Sequence, residues 1–244
     1  SLCAAFGAAF VLSSAVLPSV PAVFAETNSL QTAIDGAQSG GTVRLTENCA
    51  EAVTVAQDDN IVLDLNGFEI SATLTNNGTL KIVDSVGTGA FRLTSNTSGV
   101  VSAIVNNGGL TFDGATVEAT GTGNQTDIRG ITNNSDAAVS FLSGDISVIS
   151  SGGYFGNAIF NAAGGTVEEI SGGTLTSQIS NTNVKLNSVA INNSGTIKDI
   201  LGGKITSENN GNGGTGNYAV AIRNNNGGVI ETISGGELYG CTDN

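Results

Sequence analysis

The sequence predicts an all-β fold: a right-handed single-stranded parallel β-helix of roughly seven coils, three short strands per coil, with a short N-terminal capping helix. Two observations carry this. Six times an aliphatic residue is followed two positions later by an asparagine: Leu74/Asn76, Ile104/Asn106, Ile131/Asn133, Ile159/Asn161, Ile191/Asn193 and Ile222/Asn224. By subtraction the asparagines step by 30, 27, 28, 32 and 31 residues, and self-similarity at such a period marks a solenoid. Each period also holds three apolar segments separated by Asn- or Gly-containing turns, which is what a three-faced coil requires.

The first element is a leader. Residues 1–25 carry no charge and contain an apolar run from Ala4 to Leu17. Pro18 and Pro21 follow, the only prolines in the chain, and then Val23-Phe24-Ala25. Small residues at −3 and −1 before Glu26 fit a secretory signal peptide cleaved after Ala25. It lacks an initiating Met and a basic segment, so the signal is read as N-terminally incomplete. The apolar run is shorter than the roughly 18–20 residues that spanning a bilayer needs, so no membrane insertion of the mature chain is expected. The mature domain is then 26–244, with the parent expected to continue past Asn244, because the last repeat runs to Gly240.

Asn28 to Gln38 reads as a helix, with Leu30, Ala33, Ile34 and Ala37 on one face and Asn28 or Ser29 as N-cap. It would cover the first coil, whose edge otherwise stays unpaired. Short β-type runs follow at Thr42–Leu45, Val53–Val55 and Ile61–Leu65, and Asn66-Gly67 is a turn. In the later copies the second strands are Val167–Ile170, Ile197–Ile200 and Ile230–Ile233. Ser171-Gly172-Gly173, Leu201-Gly202-Gly203 and Ser234-Gly235-Gly236 form turns, and Leu175, Ile205 and Leu238 mark third strands.

This geometry gives the asparagines a role. A residue repeated once per coil stacks on its counterpart about 4.8 Å away, so a column of amides can bond along the stack. Asn76, Asn106, Asn133, Asn161, Asn193 and Asn224 are therefore expected to form a structural ladder, each also satisfying backbone groups at the bend. Turn propensity of exposed asparagines is the simpler alternative. Cys49 and Cys241 would lie about six coils apart at about 4.8 Å per coil, well beyond the ~7 Å reach of a disulfide.

Composition bounds the partners. At 39% hydrophobic the chain can bury a core, and its net charge of −13 repels phosphate backbones and anionic lipid. Nucleic acid is not expected as a partner.

The run from Leu30 to Ile70, with its capping helix and the LDLNGFEI segment, resembles the start of pectin-lyase-like right-handed β-helix proteins. Repeats such as NNGTLKI (Asn76 to Ile82) and SGGTLTS (Ser171 to Ser177) are similar to those of secreted bacterial surface proteins and adhesins. The resemblance covers nearly all of the mature chain and implies a secreted or cell-surface location. Enzymes of this fold include polygalacturonases and pectate lyases. The former carry Asn-Thr-Asp, Asp-Asp, Gly-His-Gly and Arg-x-Lys motifs; this sequence has no histidine, no Arg-x-Lys, and its only Asp-Asp is Asp58-Asp59. A lyase's catalytic arginine sits in a proline-containing motif, and mature proline is absent. No catalytic residue, cofactor or metal site is assigned. Glu168, Lys198 and Glu231 align as an alternating charge column, beside Glu169, Asp199 and Thr232.

The most variable segments are Gly121 to Arg129, Ser150 to Asn157, Gln178 to Ser188 and Glu208 to Tyr218. All leave from one corner of the coil, where repeat proteins often build binding surfaces. Tyr154, Phe155 and Tyr218 are the candidate ligand-contacting residues; packing of these rings on their own coil is the plainer reading of the same positions. The function expected is a non-catalytic stalk or adhesin-like module binding extracellular glycan or a host surface protein. The alternative is a polysaccharide lyase or glycoside hydrolase of the same fold.

Overall fold

A computed structural model describes residues 22–23, 29–152, 155–180, 188–210 and 218–242. The chain is an all-β parallel solenoid of about five turns with almost no helix. One face is a seven-stranded sheet made of Val53–Val55, Leu74–Asn76, Gly99–Asn106, Thr126–Asn133, Gly156–Asn161, Ser188–Asn193 and Ala219–Asn224. The other two faces belong to one 14-stranded sheet. Each strand pairs with its counterpart one coil away, so hydrogen bonding runs along the solenoid axis.

Fewer full turns are present than the repeat count suggests, because the N-terminal coils are short. Val53 pairs with Leu74, only 21 residues on by subtraction, whereas Leu74 pairs with Ile104. Full-length coils run from Asn76 to Asn224.

Three short strands per coil hold for the later coils but not throughout. Gly109–Gly121 and Ala138–Ser150 are single 13-residue strands that serve two faces at once. Their register slips between Asp113 and Thr116, where Gly114 (φ 89°) lets the strand turn the corner as a bulge. The later coils break there instead at a Gly-Gly turn, with Gly173 at φ 70° and Gly203 at φ 80°.

The core is a set of aliphatic columns. Ile104, Ile131, Ile159 and Ile191 stack in register and are closed to solvent. Phe112 and Phe141 stack on a second face, ring centroids 5.6 Å apart and nearly parallel. Burying each such ring contributes on the order of 2–3 kcal/mol.

The helix spans Leu30–Asp35, with Ser29 as N-cap accepting from the Thr32 amide at 3.2 Å. Leu30 and Ile34 enter the core. Gln31 stands in for a missing strand: its Nε2 donates to Thr54 O at 2.9 Å, and its Oε1 accepts from Thr54 N at 2.7 Å. The edge of the first strand in the seven-stranded sheet is thus satisfied by a side-chain amide. Ala22–Val23 pairs with Val43 and Arg44 of the strand Gly41–Arg44, while the rest of residues 1–25 lies outside the described residues. At the far end Ile233 and Leu238 close the aliphatic columns about half exposed.

Candidate functional site

The six asparagines that end the aliphatic-x-Asn strands fall into one column. Asn76 Nδ2 donates to Asn106 Oδ1 at 2.8 Å, and the chain of amides continues through Asn133 (2.7 Å), Asn161 (2.8 Å), Asn193 (2.7 Å) and Asn224 (2.7 Å). Every bond points the same way, from the earlier coil to the later. Asn76 through Asn193 are fully buried. Each of these five Nδ2 groups also reaches a carbonyl across the bend: Gly109, Ala138, Thr166, Thr196 and Val229. A second, exposed ladder runs beside it with opposite polarity, Asn134 donating to Asn107 at 2.6 Å and Asn107 to Asn77 at 2.8 Å.

This seam lies where the coil leaves the seven-stranded face. In chain order the four variable segments precede or begin the strands Thr126–Asn133, Gly156–Asn161, Ser188–Asn193 and Ala219–Asn224 of that sheet. Tyr154 lies outside the described residues. Phe155 is half-buried, and its carbonyl accepts from Ile128 N at 3.0 Å. Tyr218 is 41% exposed; its carbonyl accepts from Ser188 N at 3.1 Å and Asn209 Nδ2 at 3.4 Å. Phe155 and Tyr218 each stand one residue before the first paired position of a strand in the seven-stranded sheet. Gly156, next after Phe155, pairs with Ile128, and Ala219, next after Tyr218, pairs with Ser188. Asp127 and Val100 pair with each other, and Val100 is 59% exposed.

Beside these positions the sheet folds into a notch. A Cβ on Gly130 would meet Ile146 Cγ2 at 2.4 Å, so this position faces the core, as does the next residue, Ile131. Two successive inward positions bend the strand, and the outward side chains on either side of the bend converge. Ser102, Arg129 and Asn157 share one register on the near side of the bend; Val105, Thr132 and Phe160 share another beyond it. Side chains meet across the gap. Ser102 Oγ and Thr132 Oγ1 are 2.8 Å apart, and the Arg129 guanidinium carbon lies 3.6 Å from the Phe160 ring centroid. Arg129 Nη2 also donates to Asp127 Oδ2 at 2.5 Å. This pair was missed in the sequence, where a lone arginine two positions from an aspartate carries no signal of its own.

The charged residues elsewhere hold the coil. Glu168 accepts from Lys198 Nζ at 2.5 Å, and this contact, more than the carboxylates farther off, raises the half-exposed lysine's pKa. Glu169, Asp199 and Thr232 align in register. Asp64 is almost fully buried and accepts from Asn66 N, Ser85 N and Arg44 Nε, each at 2.9 Å. Burial pushes its carboxyl up, but these donors outweigh it and hold the pKa below the ordinary value. Cys49 and Cys241 are free thiols, and burial raises the former's pKa. Among the described residues no group of three or more His, Cys, Asp or Glu is placed to hold a metal ion, and no helix is long and apolar enough to cross a membrane.

No protein family, curated protein or solved structure matches the chain.

Proposed function

We propose that this chain is a non-catalytic, secreted or cell-surface repeat protein of the pectin-lyase-like bacterial type. It acts as a stalk or adhesin-like module that binds glycan or a host surface protein along its loop edge. In this reading residues 1–25 direct secretion and are removed after Ala25. Rigidity comes from parallel sheets that continue from coil to coil, with the amide column along one seam. The observation that carries the binding role is the placement of Val100, Asp127, Phe155 and Tyr218 at the leading ends of strands of one sheet, beside the four variable segments. Apolar and aromatic surface next to a polar notch is what sugar rings or a protein loop require.

The test is binding of the full chain to a glycan array and to immobilised cell-surface proteins, with Tyr218→Ser alongside. Retention of at least one class, weakened in Tyr218→Ser, is expected. A chain that binds neither class overturns the proposal.

A further inference from the structure

We infer that the notch beside Gly130 is a subsite for a neutral, hydroxyl-rich ligand, an oligosaccharide, recognised by Asp127 and Arg129 over the Phe160 ring. The inference rests on the binding role proposed for the loop edge and names the chemistry of one place on it. Its starting point is an incomplete ion pair. Arg129 and Asp127 are joined by a single bond, Nη2 to Oδ2, where arginine–carboxylate pairs are frequently joined by two parallel ones. Asp127 Oδ1 and Arg129 Nε are left shielded from solvent with no hydrogen-bond partner. Buried polar groups in this state are rare, and a bound hydrogen-bonding group is one thing that satisfies them.

Such a group must accept from an N–H and donate to a carboxylate oxygen. A hydroxyl does both at once. A carboxylate ligand can take the Nε proton but is repelled by Oδ1, and an ammonium group meets the reverse conflict at Arg129. The pair is neutral as a unit and the chain carries −13, so uronates are disfavoured twice over. The Phe160 ring, 3.6 Å from the guanidinium carbon, packs against one side of the group. Val100, which pairs with Asp127, and Phe155, just before the partner of Ile128, supply apolar surface for the C–H face of a sugar. Access is from the rim, where the side chains of Arg129 and Asp127 keep 11% and 13% of their surface exposed.

The experiment titrates the full chain with neutral gluco-, galacto- and manno-oligosaccharides, and with oligogalacturonate, by calorimetry and saturation-transfer NMR. Wild-type protein is expected to bind at least one neutral series saturably and oligogalacturonate not at all. Asp127→Asn and Phe160→Leu should each weaken that binding by roughly tenfold or more, while Glu168→Gln on the outer charge column leaves it unchanged. Phe160→Leu keeps the ion pair, so it reports on the site even where Asp127→Asn fails to fold. Wild-type affinity in Asp127→Asn or in Phe160→Leu overturns the inference, as does a preference for oligogalacturonate. If neutral glycan binding survives both variants but falls in Tyr218→Ser, the loop edge binds and this subsite does not. A chain that binds no glycan and no surface protein removes the functional proposal as well.

Discussion

Asn133 donates its side-chain amide to Asn161 Oδ1 across 2.8 Å, in a column from which solvent is excluded. Asn161 passes the same bond on to Asn193 at 2.7 Å and reaches the carbonyls of Gly165 and Thr196 at 3.2 Å. Replacing Asn161 by Ala breaks the chain of amides and strands two buried partners. The expected loss is roughly 1–3 kcal/mol, which for a domain of this size lowers the melting temperature by several degrees. An unchanged melting curve would sink the ladder as a source of stability.

Gly130 lies at the inward bend of its strand, where the flanking coils carry the buried Ala103 and Ala158. In Gly130→Ala the new methyl sits 2.4 Å from Ile146 Cγ2 and 2.7 Å from Ala158 O, so overpacking should destabilise by about 1–3 kcal/mol. Gly109→Ala is the control, its Cβ having only Thr79 Oγ1 nearby, at 3.9 Å. Urea unfolding midpoints compare the two, and equal midpoints contradict the crowding argument.

Gln31 closes the edge of the strand Val53–Val55. Gln31→Ala exposes that edge for pairing with other chains. Light scattering on warming should register aggregation at a lower temperature than in wild type, even where circular dichroism in the cold is unaltered. Identical scattering onsets would mean that the helix alone protects the edge.

Asp64 ties the first coils together through Asn66, Ser85 and Arg44. Its folded pKa lies below the unfolded value of about 3.9, so its contribution is complete above that pH and is lost as pH falls through the folded pKa. Thermal melts between about pH 2 and pH 6 should fall at the acid end, and Asp64→Asn should flatten that slope. A variant with the wild-type slope would place the acid sensitivity elsewhere.

The aliphatic-x-Asn repeat made the stacking of coils legible because one residue type recurs once per coil, and stacking brings those residues into contact. Number and continuity of strands were less legible. Val53 and Leu74 pair across a short coil that the six-fold motif does not include. Strands run through Gly114 and Gly144, since a single positive-φ glycine makes a bulge where Gly-Gly makes a turn. Ser29 was legible as a cap, whereas the strand-like role of Gln31 depends on where the helix docks. The Arg129–Phe160 contact joins residues on two coils across a bend, and no local spacing encodes it. Phe155 and Tyr218 were picked out only as ends of variable segments, and the pairing of Asp127 with Val100 in the neighbouring coil emerged from the register.

The most direct measurement of the central claim, binding without turnover, is a reducing-end and unsaturated-product assay on the full chain. It is run on the same glycans that an array shows it to retain. The account predicts retention with no new reducing ends and no unsaturated product over prolonged incubation. Sustained cleavage of any retained polysaccharide would contradict it and make the chain an enzyme of the polysaccharide lyase or glycoside hydrolase class.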